Sequence, residues 1–214
     1  MTVDLSLPWQ VIHGDCLDVM RDLPDGCVDA VVTDPPYGIG ASAGTGKYGR
    51  LKFTATDKKW DDFAVDVSPL LALGKPTVIW GGNYFGLPAS RGYLVWNKGN
   101  GFAGRDFAEC EMAWTNQDAN AKLLTYDPLA FGDYRAKHHP TMKPVPVMVW
   151  SISYLALPPD SLILDPYCGS GTTGVAAINL GYRFLGIERE ASYCDIARRR
   201  ISDAAAQTNL FTNA

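Results

Sequence analysis

Ser161-Leu162-Ile163-Leu164-Asp165-Pro166-Tyr167-Cys168-Gly169-Ser170-Gly171-Thr172-Thr173-Gly174 decides how this chain folds. Its first five residues are an apolar run that stops at an acid, which predicts a strand. Gly169-Ser170-Gly171 predicts a tight loop, and Thr172 to Leu180 a helix ended by Gly181. Arg183 to Glu188 predicts the next strand, again ending at an acid. A G-x-G-x-x-G between strand and helix, with an acid closing the following strand, is the context of a nucleotide-binding βαβ unit. Its glycines let the backbone approach a ligand, and the helix N-terminus favours a carboxylate or phosphate. The competing reading is a glycine turn that only packs helix on strand.

Such a unit normally opens a nucleotide-binding sheet, yet only one helix, Ala191 to Ala206, and a polar tail follow it here. The sheet must be completed from the N-terminal half. Gln10 to Asp15 reads as a strand and turn, Cys16 to Leu23 as a helix, and Val28 to Thr33 as a strand running into Asp34-Pro35-Pro36-Tyr37. Pro76 to Trp80, Tyr93 to Trp96 and Glu111 to Trp114 read as further strands. Val65 to Leu73 and Pro144 to Leu157 read as helices, the latter with prolines confined to its first turn. The expected fold is α/β: one doubly wound, mostly parallel sheet of Rossmann-like type, circularly permuted. Asp165, Glu188, Asp15 and Asp34 then line one carboxyl edge, where open α/β sheets bind ligands.

At the Asp34 end, each proline fixes its own φ and restricts the residue before it. The Asp34 side chain and the Pro35 carbonyl become two acceptors held near one point, with the Tyr37 ring beside them. That arrangement suits a flat substrate bearing an amine.

At 214 residues the chain suits one core rather than two, and 47% apolar with 20% charged residues reads as globular. We expect a single domain over 1–214, with 38–63 as a mobile loop beside Asp34 and 207–214 as a disordered tail. Five cysteines without a C-x-x-C, and three histidines, suggest neither a disulfide framework nor a metal site. A reduced cytoplasmic setting is expected, with no signal peptide and no membrane partner, Val145 to Leu157 being too short to span a bilayer. A net charge of −4 argues against electrostatic coating of nucleic acid. Lys47, Arg50, Lys52, Lys58 and Lys59 nevertheless make a local basic stretch after the Asp34 motif.

Three motifs in this order resemble the S-adenosylmethionine-dependent DNA amino-methyltransferases that act on adenine N6 or cytosine N4. Asp34-Pro35-Pro36-Tyr37 resembles their catalytic motif. Asp165 to Thr172 resembles their cofactor loop. His139-Pro140-Thr141-Met142-Lys143-Pro144 resembles the motif before that loop in the β group, whose catalytic motif comes first. The resemblance spans about residues 10 to 200.

It implies that Asp34, Pro35, Pro36 and Tyr37 form the catalytic ledge, with Tyr37 stacking on a base flipped out of DNA. It implies a cofactor site of Asp15, Cys16, Thr141, Lys143, Asp165, Pro166, Tyr167, Gly169, Ser170, Gly171, Thr172 and Glu188. Within it, Glu188 holds the ribose, Asp15 the adenine amine, and Thr141 and Lys143 the carboxylate end. It implies S-adenosylmethionine as cofactor without a metal, DNA as partner, and the homodimer common in the family. The basic stretch, with Lys98 and Arg105, becomes a candidate DNA contact, and about 97–140 a short target-recognition insertion. Asp rather than Ser at the head of the motif favours adenine.

Rival readings stay beside these. Asp15 and Glu188 also suit helix caps, Tyr37 suits a core, and the lysines suit a solvated face. A nicotinamide-dependent oxidoreductase explains Gly169 to Glu188 but leaves Asp34 to Tyr37 idle. A methyltransferase of RNA or protein and a catalytically silent DNA-binding regulator are the other rivals.

Overall fold

The computed structural model describes residues 3–39, 64–104, 108–133 and 142–212, of which 208–212 are described as backbone alone. Eight strands form one sheet: β1 (Trp9–His13), β2 (Ala30–Thr33), β3 (Thr77–Trp80), β4 (Tyr93–Asn97), β5 (Cys110–Thr115), β6 (Lys122–Thr125), β7 (Leu162–Asp165) and β8 (Arg183–Glu188). Their order is β1-β8-β7-β2-β3-β5-β4-β6. Only β5 runs against its neighbours. Counting from β7 through β8 and on to β1, β2 and β3, the parallel part reads 3-2-1-4-5, the order of a doubly wound sheet.

Helices cover both faces. Strand residues alternate between them: Ala30, Val32, Val78, Trp80 and Ile163 face one core with α3 (Val145–Tyr154), α4 (Thr172–Asn179) and α5 (Ala191–Thr212). Val31, Ile79, Leu162 and Leu164 face the other, with α1 (Cys16–Arg21) and α2 (Ser68–Ala72). Strands buried on both faces read as continuous apolar runs, which is why β2, β3 and β7 are plain in the sequence. Trp80, fully buried like Trp96, donates its indole N–H to Ser151 Oγ on α3 at 3.2 Å.

Local differences from the sequence reading have local causes. The stretch 116–140, which shows no periodicity, contains β6; this strand lies at the sheet edge with mostly exposed residues, so no face is marked apolar. Helix α1 stops at Arg21 because Asp22 caps it. Helix α2 is shorter than Val65 to Leu73, with Val67 at its N-cap. Helix α5 continues to Thr212 rather than ending at Ala206. Within the expected insertion, Ala113, Trp114 and Thr115 of β5 are buried between β3 and β4 and belong to the sheet core. The expected loop at 38–63 lies outside the described residues except for Gly38 and Ile39.

Ile201 of α5 is fully buried, and α5 packs on α4 so closely that a methyl group on Gly174 would meet its Cδ1 at 2.4 Å. Ile201→Ala should lower unfolding free energy by about 2–5 kcal/mol in urea denaturation; a loss under about 1 kcal/mol contradicts that packing.

Candidate active site

Adjacency in the sheet brings the predicted acids together. Strands β1, β8, β7 and β2 are consecutive and parallel, so Asp15, Glu188, Asp165 and Asp34 fall at or just beyond neighbouring strand ends. The first two come from opposite ends of the chain: His13 pairs in register with Glu188.

Asp165 is the clasp of this edge. It is 2% exposed. Its Oδ1 accepts from Thr33 Oγ1 at 2.7 Å and from the Tyr167 amide at 3.1 Å, and its Oδ2 accepts from Thr173 Oγ1 at 2.5 Å. Burial pushes its pKa up to about 6 despite these donors. The loop that follows is fixed from behind. Gly171 has φ +81°, and a Cβ there would stand 2.9 Å from the Ala197 backbone of α5, so glycine is required. Arg200 of α5 donates to the Ser170 carbonyl, to Ser170 Oγ at 3.1 Å and to Thr172 Oγ1 at 3.2 Å. Pro166 and Ser170 are buried, and a Cβ on Gly169 would meet open space.

Glu188 is bonded both to the glycine loop and to the start of α5. Its Oε2 accepts from the Gly169 amide at 2.8 Å, and its Oε1 from the Glu190 amide just before α5 at 2.8 Å. Burial raises its pKa. Asp15 is exposed and caps α1 by accepting from the Leu17 amide at 2.9 Å. The Cys16 thiol is hydrogen-bonded to Tyr167 and pushed up by burial.

The ledge at the end of β2 holds a charge cluster that the sequence did not disclose. Lys143 is 4% exposed on its side chain, and its Nζ lies 2.6 Å from Asp34 Oδ1 and 3.0 Å from Glu111 Oε2. It also donates to Tyr37 Oη at 2.8 Å, while Tyr37 donates to Asp34 Oδ1 at 2.5 Å. Behind Glu111, Lys98 Nζ stands 2.6 Å from Oε1. Burial raises the Asp34 pKa, with the Lys143 charge opposing it. Burial also pushes Glu111 up, but Lys143 and Lys98 outweigh it and hold that acid at about 2. Burial disfavours the Lys143 ammonium, yet its two carboxylate partners win and raise its pKa. The Tyr37 ring stacks on Tyr84 at 5.0 Å and 17°. A Cβ on Gly81, whose φ is +70°, would fall 2.1 Å from that ring, so only glycine admits Tyr37 here.

One open cavity joins the two ends of the chain. Asp34 and Lys143 line it together with Asp165, Tyr167, Gly169 and Thr172. Asp15 and Glu188 are not among its lining residues.

Two placements differ from the sequence reading. Lys98, expected at DNA, is 7% exposed and committed to Glu111, with its ammonium 5.3 Å from the Trp96 ring centre and 5.4 Å from that of Phe102. A buried, paired cation makes no phosphate contact. Lys143, expected at the cofactor's carboxylate end, lines the cavity but directs its ammonium to Asp34 and Glu111. Thr141, Arg105, Lys47, Arg50, Lys52, Lys58 and Lys59 lie outside the described residues. Glu111 went unnoticed in the sequence. The available signal was an acid inside β5, two residues before its buried run Ala113-Trp114-Thr115, where a charge needs a partner.

Comparison with known proteins agrees with this geometry. A family model described as DNA methylase, for N6 and N4 methyltransferases, matches residues 76–199, more than half of the chain. The chain belongs to the N6/N4 DNA methylase family. Among similar proteins, the type II methyltransferase M.HinfI of Haemophilus influenzae is 26% identical over 93% of this chain and 70% of its own. The putative methylase YubD of Escherichia coli (strain K12) is 28% identical over 89% of each. Among solved structures, an M1.HpyAVI–SAM complex superposes with TM-score 0.58 at 24% identity, covering 90% of this methylase and 99% of that chain. The cytosine-N4-specific PvuII DNA methyltransferase superposes at 0.56 with 16% identity, covering 93% and 92%.

The Asp165 clasp makes stability depend on pH. Its folded pKa of about 6 lies above the ordinary 3.8. Between those values the native state binds more protons than the unfolded one, so this contribution falls as pH rises through 6. Melting curves at pH 5 and pH 7 should show Asp165→Asn losing part of the wild type's decline. An identical pH response in both proteins contradicts the raised pKa.

Proposed function

We propose that this methylase transfers the methyl group of S-adenosylmethionine to the exocyclic amine of a DNA base, adenine N6 before cytosine N4. The observation that carries the proposal is the single cavity lined by Asp34 on one side and by Asp165, Tyr167, Gly169 and Thr172 on the other. The residues fit the cofactor. Gly169 opens on space, the N-terminus of α4 suits a carboxylate, and Glu188 lies against the loop as an acceptor for a diol. When bound, S-adenosylmethionine supplies a methyl group on a positively charged sulfur, which needs no further activation.

The chain's own task is to make a poor nucleophile attack. An aromatic amine has its lone pair delocalised into the ring. Asp34 accepts one amine hydrogen and the Pro35 carbonyl accepts the other, drawing both out of the ring plane. The lone pair is then free, and its direction is fixed by the rigid prolines. Burial raises the Asp34 pKa, which suits it to take the proton that the amine sheds. Tyr37, backed by Tyr84, offers a flat surface to a base extruded from the duplex. Lys47, Arg50, Lys52, Lys58, Lys59 and Arg105 stay in the proposal as phosphate contacts on their charge alone.

Asp34 at the head of Asp34-Pro35-Pro36-Tyr37 favours adenine. The cytosine-N4 reading is supported by the fold shared with the PvuII enzyme.

Two variants separate the halves of the site. Asp34→Ala should abolish tritiated methyl incorporation into DNA while calorimetric cofactor affinity stays near wild type. Glu188→Ala should weaken that affinity by about 10- to 100-fold. Wild-type turnover in the first removes Asp34 from catalysis, and unchanged affinity in the second returns Glu188 to capping.

A further inference from the structure

We propose that Glu111 is a positioning residue for methyl transfer: with Lys98 behind it, its carboxylate anchors the Lys143 ammonium, which in turn fixes Asp34 through Oδ1 and so orients that carboxylate toward the amine. The inference deepens the reading of Asp34 given above and rests on it.

An ammonium has three N–H donors. Lys143 meets three acceptors: Asp34 Oδ1, Tyr37 Oη and Glu111 Oε2. Its position is therefore fixed from three directions. Two of those acceptors belong to the ledge itself, and Glu111, on β5, is the third. The two bonds that Asp34 receives among the described residues, from Lys143 and from Tyr37, fall on Oδ1. They hold one oxygen of Asp34, and the amine is assigned to the other. Without Glu111, the ammonium keeps only its two ledge acceptors and is free to swing about them, so Asp34 loses its fixed orientation.

Charge balance supports the arrangement. Asp34 and Glu111 face Lys143 and Lys98, two of each sign, with the neutral Tyr37 hydroxyl among them and Asp165 across the cavity. Removing one member of a buried set leaves an uncompensated charge. The sign of the consequence differs by member. Loss of Glu111 removes an anion, which lowers the pKa of both Asp34 and Lys143. Loss of Lys98 bares the charge of Glu111 and raises both.

The test is single-turnover methylation of PCR-amplified, unmethylated bacterial DNA with tritiated S-adenosylmethionine across pH. Glu111→Gln should cut the rate by about 100-fold with calorimetric cofactor affinity unchanged, and should move both limbs of the pH profile to lower pH. Glu111→Asp should keep the wild-type limbs and recover part of the rate. Lys98→Gln should move both limbs to higher pH, which decides the matter even if Glu111→Gln does not fold. A wild-type rate in Glu111→Gln overturns the proposal. So does a slower rate with unmoved limbs in both variants, the mark of a merely structural ion pair. Turnover retained in Asp34→Ala contradicts the Asp34 reading instead.

Discussion

Asp165 is a buried carboxylate with both oxygens bonded to threonine hydroxyls, one from Thr33 on β2 and one from Thr173 on α4. Thr33 directly precedes Asp34, and Thr173 lies on the first turn of the helix that the glycine loop opens. The same acid therefore sets the spacing between the proposed amine-accepting ledge and the proposed cofactor loop. Its cost is burial, seen in a pKa pushed up to about 6. The threonine hydroxyls and the Tyr167 amide offset that cost by satisfying the carboxylate. For the proposed methyl transfer that spacing matters, because positioning supplies much of the rate.

The loop is held by the end of the chain as well. Arg200 reaches from α5 to Ser170 and Thr172, and Ala197 of the same helix lies against Gly171. The last helix is thus a buttress for the site rather than a terminal appendage. On the opposite side of the cavity, Glu111 and Lys98 do the corresponding work for Lys143 and Asp34. The groups that line the cavity are on strand ends and loops, while their supports lie on α5, on β5 and just past the end of β4.

Much of this was legible because chemistry and fold share the same residues. Val28 to Thr33 and Ser161 to Asp165 are apolar runs, each meeting an acid at its end, so the strand and the functional group were found together. The adjacency of β1 and β8 followed from needing partners for a βαβ unit near one end of the chain. Glu111 and Lys98 escaped because their meaning lies in pairing across β4 and β5, at Trp96 with Glu111 in register, which no local pattern encodes. Lys98 looked like a surface cation for the same reason. Edge strand β6 escaped because it buries little and carries no alternation.

The most direct measurement is nucleoside mass spectrometry after incubating the wild-type protein with methyl-deuterated S-adenosylmethionine and unmethylated DNA. The account predicts labelled methyl on an exocyclic amine, as N6-methyladenine, with N4-methylcytosine as the lesser alternative. DNA that acquires no labelled nucleoside, or label on a ring carbon, would contradict it.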